Sequence, residues 1–204
     1  MHSEKVDDEL LEGSQTQTDG ESAESESVTN NIFERFPILR EKTFYFSNAS
    51  FQKRHNFLWI LKYAELHPDD FFAIQGLSAE DELPDAFLGV KNLSNILLLG
   101  KLSEQEQFLL LQKCRAFVNP SFTEGFSMEN ALALKAGTQI VISNNSATFS
   151  IFNETAHYVD PKNPQCELDQ VLLDPITSPE NFLAKNTFEE SAQKLYETLK
   201  NSVL

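Results

Sequence analysis

An acid and a glycine stand directly before a predicted helix in the segment NPSFTEGFSMENALALKAG, residues 119–137. The backbone N–H groups at a helix N-terminus are free and carry partial positive charge, which suits phosphate or sugar oxygens. Gly125 removes a side chain where a ligand would approach the backbone, and Glu124 can accept hydrogen bonds from sugar hydroxyls. We interpret this pair as a candidate binding element.

A basic cluster forms the second candidate element. The segment QKRHN, residues 52–56, brings Lys53, Arg54 and His55 together just before another predicted helix. Such a cluster can neutralise a diphosphate without a metal. Each element alone has a simpler explanation, because a Glu ahead of a helix is often only a favourable partner of the helix dipole and a Lys-Arg pair in a loop is usually solvated. The binding interpretation therefore depends on whether the fold brings the two elements together.

The elements that position these segments alternate between short apolar runs and helical patterns. Ser103 and Glu106 form a capping box, and Ser178 with Pro179 gives start signals for a last helix. Strands are predicted at 43–48, 71–76, 95–100, 115–120, 138–143 and 156–160, and helices at 56–67, 103–114, after Gly125, near 147–152 and at 178–200.

This alternation predicts an α/β fold, a doubly wound, mostly parallel Rossmann-like sheet. The strands are continuously apolar, which is expected when helices cover both faces of the sheet. Ligands of such folds bind outside the carboxyl ends of the strands. The loops at 47–56, 100–103 and 119–128 are then expected on one rim, so the fold favours binding over the simpler explanations.

Charge and composition restrict the function further. The net charge is −15, and residues 1–30 hold nine acidic residues, one lysine and no aromatic residue. Such a segment buries too little apolar surface to order, so we expect residues 1–30 to be a disordered acidic tail on a single domain at 31–204. A solubilising tail is favoured over a specific acidic docking arm. An acidic body argues against nucleic acid as the main partner.

Several classes of site lack their motifs. There is no transmembrane segment or signal peptide in the sequence, and the two cysteines have no zinc-type spacing, so a cytoplasmic protein with reduced thiols is expected. The dinucleotide, P-loop and hydrolase-elbow motifs are missing, and the four histidines show no metal spacing. We expect no metal and no cofactor.

Four segments carry a resemblance to a known family. They are FYFSNASFQKRHN, NILLLGKLSEQEQFLLLQKCRAFVNPSFTEGFS, ALALKAGTQIVISNNS and AHYVDP, within residues 43–161. In this order they resemble the C-terminal donor-binding domain of retaining glycosyltransferases with the GT-B fold, of the group 1 or family 4 type. The resemblance implies that a nucleotide-diphosphate sugar is the substrate and that no metal is obligatory.

The resemblance also implies a role for particular residues. Arg54 would bind the diphosphate, with Lys53 beside it and His55 where the family usually has a lysine. Glu124 and the backbone of Gly125, Phe126 and Ser127 would hold the donor sugar. The turn at Lys101 and Leu102 would face the nucleobase.

Three departures from the family pattern matter. The family places a second Glu eight residues after the first, where it usually grips the ribose, and this chain has Leu132 there. Glu129 is nearby, but its five-residue offset is expected to put it on a different helix face. His55 is mostly neutral at pH 7, unlike a lysine. The length is also about half that of such an enzyme, and the N-terminal acceptor domain has no counterpart.

Two main hypotheses follow. The first is a donor-binding domain for glycosyl transfer that works with an acceptor domain on another chain, so a second protein is an expected partner. The second is a non-catalytic degenerate domain that stabilises or regulates an active glycosyltransferase. A third, the product of a truncated gene, stays open.

Overall fold

The computed structural model describes residues 32–187 together with residues 190 and 193. Their central element is one six-stranded parallel sheet. The strand order is β3-β2-β1-β4-β5-β6. The expected tail at 1–30 lies outside the described residues. The helix expected at 178–200 is interrupted, because it ends at Lys185 and residues 186 and 187 form a bend before helical residues at 190 and 193. The strands are β1 Tyr45–Asn48, β2 Phe72–Gln75, β3 Ile96–Gly100, β4 Phe117–Asn119, β5 Ile140–Ser143 and β6 His157–Val159.

Helices connect the strands, and none in the described part of the chain is long and apolar enough to cross a membrane. The α-helices are α1 at 32–35, α2 Ile38–Glu41, α3 Phe57–Leu66, α4 Glu104–Lys113, α5 Met128–Lys135, α6 Ser146–Phe152, α7 Leu168–Val171 and α8 Glu180–Lys185. Three 3₁₀ segments, Lys53–His55, Asp85–Asn92 and Asn153–Thr155, were not predicted.

The predicted fold class is confirmed by this topology. All six predicted strands are present and pair in parallel, and helices cover both sides of the sheet. The capping box of α4 is also present, because Ser103 N donates to Glu106 at 2.9 Å and Glu106 N donates to the Ser103 hydroxyl at 3.2 Å. The last helix begins at Glu180, directly after the predicted start signals.

Two apolar layers sandwich the sheet because successive strand residues point to opposite faces. In β1, Tyr45 packs among the residues of α3 and α7, whereas Phe46 packs among those of α4, α5 and α8. The apolar residues Phe57, Ile60, Leu61 and Ala64 of α3 are buried, and Trp59 and Tyr63 are buried with them. Helix α3 is therefore covered on more than one side, by the segment Asp85–Asn92 as well as by the sheet.

The strand order places a topological switch point between β1 and β4. From β1 the chain first winds through β2 and β3 on one side, then returns to β4 and continues to β5 and β6 on the other. The loops that follow β1 and β4 therefore diverge, and a crevice opens between them at the carboxyl edge, where ligands bind in folds of this type.

Asn56 ties three of the carboxyl-edge loops together. It is only 6% exposed and has a left-handed backbone, φ 55°, between the turn Lys53–His55 and α3. Its side-chain amide donates to the carbonyl of Pro120 after β4 at 2.8 Å and to that of Pro161 after β6 at 2.7 Å. One buried amide thus fixes the relative positions of the loops after β1, β4 and β6.

Asn56→Ala is expected to lower the free energy of unfolding by about 2–4 kcal/mol, because one buried and one part-buried carbonyl lose their donor and alanine tolerates positive φ less well than asparagine. Asn56→Gly is the matched control, because glycine also removes the amide but accepts a positive φ without strain. Denaturant unfolding of both variants measures the difference. Full stability in Asn56→Gly would show that the amide contacts contribute nothing beyond backbone strain.

Gly76 ends β2 in a conformation that a side chain cannot enter. Its φ is +96°, and a Cβ placed on it would lie 2.5 Å from the backbone oxygen of Ala49. The contact is with backbone, so no side-chain rotation relieves it. The loop after β1 therefore packs directly on the end of β2.

Gly76→Ala is expected to destabilise the fold by more than about 2 kcal/mol, since strained φ and a backbone clash act together. Gly137→Ala serves as the control, because Gly137 has a positive φ of +82° but open space around it, and about 1 kcal/mol is expected there. Thermal and denaturant unfolding distinguish the two. A Gly76→Ala loss no larger than that of Gly137→Ala would contradict the packing argument.

Candidate functional site

The loop after β1 presents its basic residues from a 3₁₀ turn. Arg54 is exposed and its Nε donates to the Gln52 side-chain oxygen at 2.9 Å. His55 is half-buried, and its Nδ1 lies 2.6 Å from the Ser50 hydroxyl. Both side chains are therefore held by neighbours in the same loop, which limits the conformations that a ligand would have to select.

Hydrogen bonds among polar side chains hold the loop after β4 in place. The Ser121 hydroxyl donates to the Asn119 side-chain oxygen at 2.6 Å, and the Asn119 amide donates to the Asn130 oxygen at 3.1 Å. Ser127 caps α5 by accepting from Asn130 N at 3.2 Å. The segment that holds Glu124 is thus fixed at both ends, by β4 and by the first turn of α5.

The two predicted elements meet at the switch point. Phe122 N donates to the carbonyl of Arg54 at 2.8 Å, so the loops after β1 and β4 are joined through their backbones. A cleft of about 310 Å³ lies between them. Its walls include Arg54, His55, Glu124, Phe126 and Ser127, all of them predicted site residues, and we call it the inner cleft.

The remaining predicted residues lie elsewhere. Lys53 points to a separate apolar groove on the other side of the turn. Leu102 is 7% exposed and packs in the hydrophobic core, while Lys101 is exposed and lines neither the inner cleft nor that groove. Around Gly125 a Cβ would meet nothing within 4 Å, so this glycine borders open space.

A second cleft of about 590 Å³ continues from the inner one, and we call it the outer cleft. Asn48, Met128 and Glu129 line both. Leu132 lines the outer cleft as well, so the position eight residues after Glu124 does face this space, but with an apolar side chain. The expectation that Glu129 lies on a different helix face is wrong, because residues three apart, such as 129 and 132, share one side of a helix.

Two polar residues at the strand ends were missed in the sequence. The side-chain oxygens of Asn48 and Gln75 are buried and accept no hydrogen bond from any described residue. Buried polar atoms nearly always have a partner, so these two suit hydroxyl or amine donors of a ligand. Their signal was available, since each is a polar residue that closes an otherwise apolar strand at the carboxyl edge.

Stacked aromatic rings support the loop that holds Glu124, which we call the glutamate loop. Phe126 is 42% exposed and stacks on Phe152 of α6 and Phe182 of α8, with ring centroids 6.3 and 6.2 Å apart. The family resemblance implied only a backbone role for Phe126, but its side chain links the inner cleft to α8.

Thiol chemistry is not available at neutral pH. Burial raises the pKa of Cys114 to about 12 and that of Cys166 to about 11, so both thiols stay protonated. Within residues 32–187, no three His, Cys, Asp or Glu side chains are grouped as a metal site requires. The arrangement at the switch point is one of charge and hydrogen-bond donors and acceptors.

Comparisons with known proteins agree with this geometry. No protein with a curated description matches the sequence. Among solved structures, a sucrose-phosphate synthase from Thermosynechococcus elongatus superposes with a TM-score of 0.62 at 16% identity, over 79% of this chain and 46% of that chain. An α,α-trehalose-phosphate synthase (UDP-forming) from Burkholderia xenovorans, in complex with glucose-6-phosphate, gives 0.63 at 12% identity, over 89% and 48%.

These likenesses show the fold, and a match to a family model confirms the predicted resemblance to GT-B glycosyltransferases. This chain spans about half the length of the structures that it matches. In sequence, the family model described as glycosyl transferases group 1 matches residues 28–185, more than three quarters of the chain. The chain therefore belongs to the glycosyl transferases group 1 family.

Proposed function

We propose that this chain is a donor-binding domain for glycosyl transfer, and that a nucleotide-diphosphate sugar occupies its two clefts. The observation that carries the proposal is the inner cleft, where a guanidinium and a carboxylate from different loops face one space at the switch point. Family membership supports the same reaction class. Two adjoining clefts that share Asn48, Met128 and Glu129 also suit an elongated ligand with chemically different ends.

Arg54 is the proposed diphosphate ligand. A guanidinium offers a planar fork of donors that meets two phosphate oxygens at once. Gln52 holds the group through Nε, which orients the side chain. His55 adds a ring N–H or an acceptor, depending on its tautomer. The positive charge comes from the Arg54 side chain, so we propose that binding needs no metal.

Glu124 is the proposed sugar ligand. A half-buried carboxylate accepts hydrogen bonds from hydroxyls, and the adjacent Gly125 leaves the backbone open to a ligand. The buried oxygens of Asn48 and Gln75 offer two further acceptors toward the outer cleft, where we place the nucleoside. The similar trehalose-phosphate synthase is described as UDP-forming, which makes UDP-sugars the first ligands to try.

A second candidate function is a non-catalytic module that binds and supports an active glycosyltransferase. Leu132 is the observation that favours it, because the outer cleft has an apolar side chain where the family pattern puts a carboxylate. For the donor-binding function we propose that an acceptor domain outside residues 32–187 positions the acceptor. Catalysis depends on that positioning and on closure of the site.

Calorimetric titration of the full chain with UDP-, GDP- and ADP-sugars and the free nucleotides tests donor binding. Saturable binding is expected for one base, and Glu124→Ala and Arg54→Ala should each weaken it about 10- to 100-fold. A hydrogen bond to a charged group contributes about 1.5–3 kcal/mol, and about 1.4 kcal/mol changes affinity tenfold.

The matched controls are Glu65→Ala and Arg40→Ala, which remove the same groups outside both clefts. Affinities within about twofold of the unmodified chain are expected for them. No binding of any nucleotide sugar at millimolar concentration, in a chain that is folded by circular dichroism, would contradict the donor-binding proposal and favour the non-catalytic module.

Leu132→Glu is expected to tighten binding of the nucleotide sugar about tenfold, because it supplies a carboxylate to the outer cleft where the nucleoside is proposed to lie. Gln107→Glu adds the same charge to the α4 wall of that cleft and is expected to bring no gain. The same titration measures both variants. Unchanged affinity in a folded Leu132→Glu chain would show that the nucleoside does not reach this wall.

A further inference from the structure

An apolar groove lies on the other side of the turn Lys53–His55 and takes no part in the proposed donor site. Its volume is about 400 Å³. We call it the lysine-rimmed groove, because Lys53, Lys62 and Lys162 surround walls built from Phe51, Leu58, Trp59, Phe87, Phe122 and Pro164.

Three of the apolar wall residues are open to solvent. Phe51 is 41% exposed, Leu58 39% and Phe122 36%, and all three side chains line the same groove. Single exposed hydrophobic residues are common on protein surfaces, whereas several around one concave site mark an interaction surface. The groove is thus shaped for an apolar side chain from elsewhere.

The charge of the groove selects the kind of occupant. Its lining holds three lysines and no acidic residue, although the chain has 31 acidic residues against 16 basic ones. The three salt bridges found among the described residues involve none of these lysines. An occupant with apolar side chains flanked by carboxylates would complement both features of the surface.

Composition alone favours a solubilising role for residues 1–30, but the groove supplies a complementary surface. We propose that it is a docking site for the chain's own N-terminal segment EKVDDELLE, residues 4–12. This segment has five acidic residues and one lysine around Val6, Leu10 and Leu11. The leucines fill the apolar space, and the carboxylates meet the lysine rim. Residues 1–30 otherwise contain only one further large aliphatic residue, Val28, so this segment is the part of the tail best able to fill the groove.

The length of chain outside the described residues permits the contact. Ile32 is buried with the α4 side of the sheet, whereas Trp59 in the groove belongs to the α3 side, so the chain must pass around the domain. The 20 residues from Glu12 to Ile32 reach about 66 Å when extended. A domain of this size has a radius of gyration of about 15 Å, so the path lies within reach.

Because the segment belongs to the same chain, even a weak contact is enough to keep the groove occupied. A segment on the same chain experiences a millimolar effective concentration near its site, which no separate peptide reaches at ordinary protein concentrations. The carboxylate–lysine part of the contact is exposed and weakens as salt rises. Occupancy of the groove should therefore be intramolecular and sensitive to ionic strength.

Zero-length carbodiimide cross-linking of the full chain, followed by peptide mass spectrometry, tests the proposal. Cross-links from Asp7, Asp8, Glu9 or Glu12 to the groove lysines are expected at least fivefold more often than to Lys113 and Lys135, which are exposed elsewhere. A 1:1 mixture of ¹⁵N-labelled and unlabelled chains is used, and the cross-links are expected within single chains. Raising the salt to 1 M should reduce them.

L10S/L11S is the variant that removes the apolar part of the contact, and its groove cross-links should fall at least threefold. Val28→Ser, elsewhere in the tail, is the matched control and should leave them unchanged. The proposal is overturned by equal cross-linking to Lys113 and Lys135, by no loss in L10S/L11S, or by cross-links that join labelled to unlabelled chains. The last result would assign the groove to the tail of a second copy.

Discussion

The pairing of β1 with β4 is the constraint on which the site depends. The ladder between these strands has a single register pair, Phe46 with Phe117, yet they are the two from which the chain winds in opposite directions. Every residue of the inner cleft lies on one of these strands, on the loops that follow them, or in the first turn of α5. Asn56 and the bond from Phe122 N to Arg54 O then fix the loops relative to each other.

The sheet was predictable because its signals are local and strong. Each strand is a short apolar run ended by Gly, Pro or a polar residue, and burial on both faces makes such runs continuous. The start of α4 was readable from Ser103 and Glu106, whose capping box forms as expected. The 3₁₀ segments were not predicted, because Lys53–His55 is only three residues long and neither it nor Asp85–Asn92 begins with a cap that a side chain provides.

The site was predictable only in part, for a physical reason. Residue types and strand-end loops identified Arg54, His55 and Glu124, and the topology brings these three together. The direction of a side chain is set by tertiary packing, which the sequence does not show. Lys53 therefore turned to the opposite side of its own turn, and Glu129 proved to share a helix side with Leu132. Asn48 and Gln75 could be recognised in the sequence as polar residues at strand ends. Only the structure shows that their side-chain oxygens are buried without a partner.

The stack of Phe126 on Phe152 and Phe182 has a consequence for how the chain responds to a ligand. Phe182 belongs to α8, far along the sequence from Glu124, yet it supports the loop that holds this carboxylate. If α8 separates from the sheet, Phe126 loses one of its two stacking partners and the glutamate loop loses a support. By thermodynamic reciprocity, a ligand that holds this loop also holds α8. Occupation of the inner cleft and resistance of the C-terminal helix to proteolysis are then two measures of the same equilibrium.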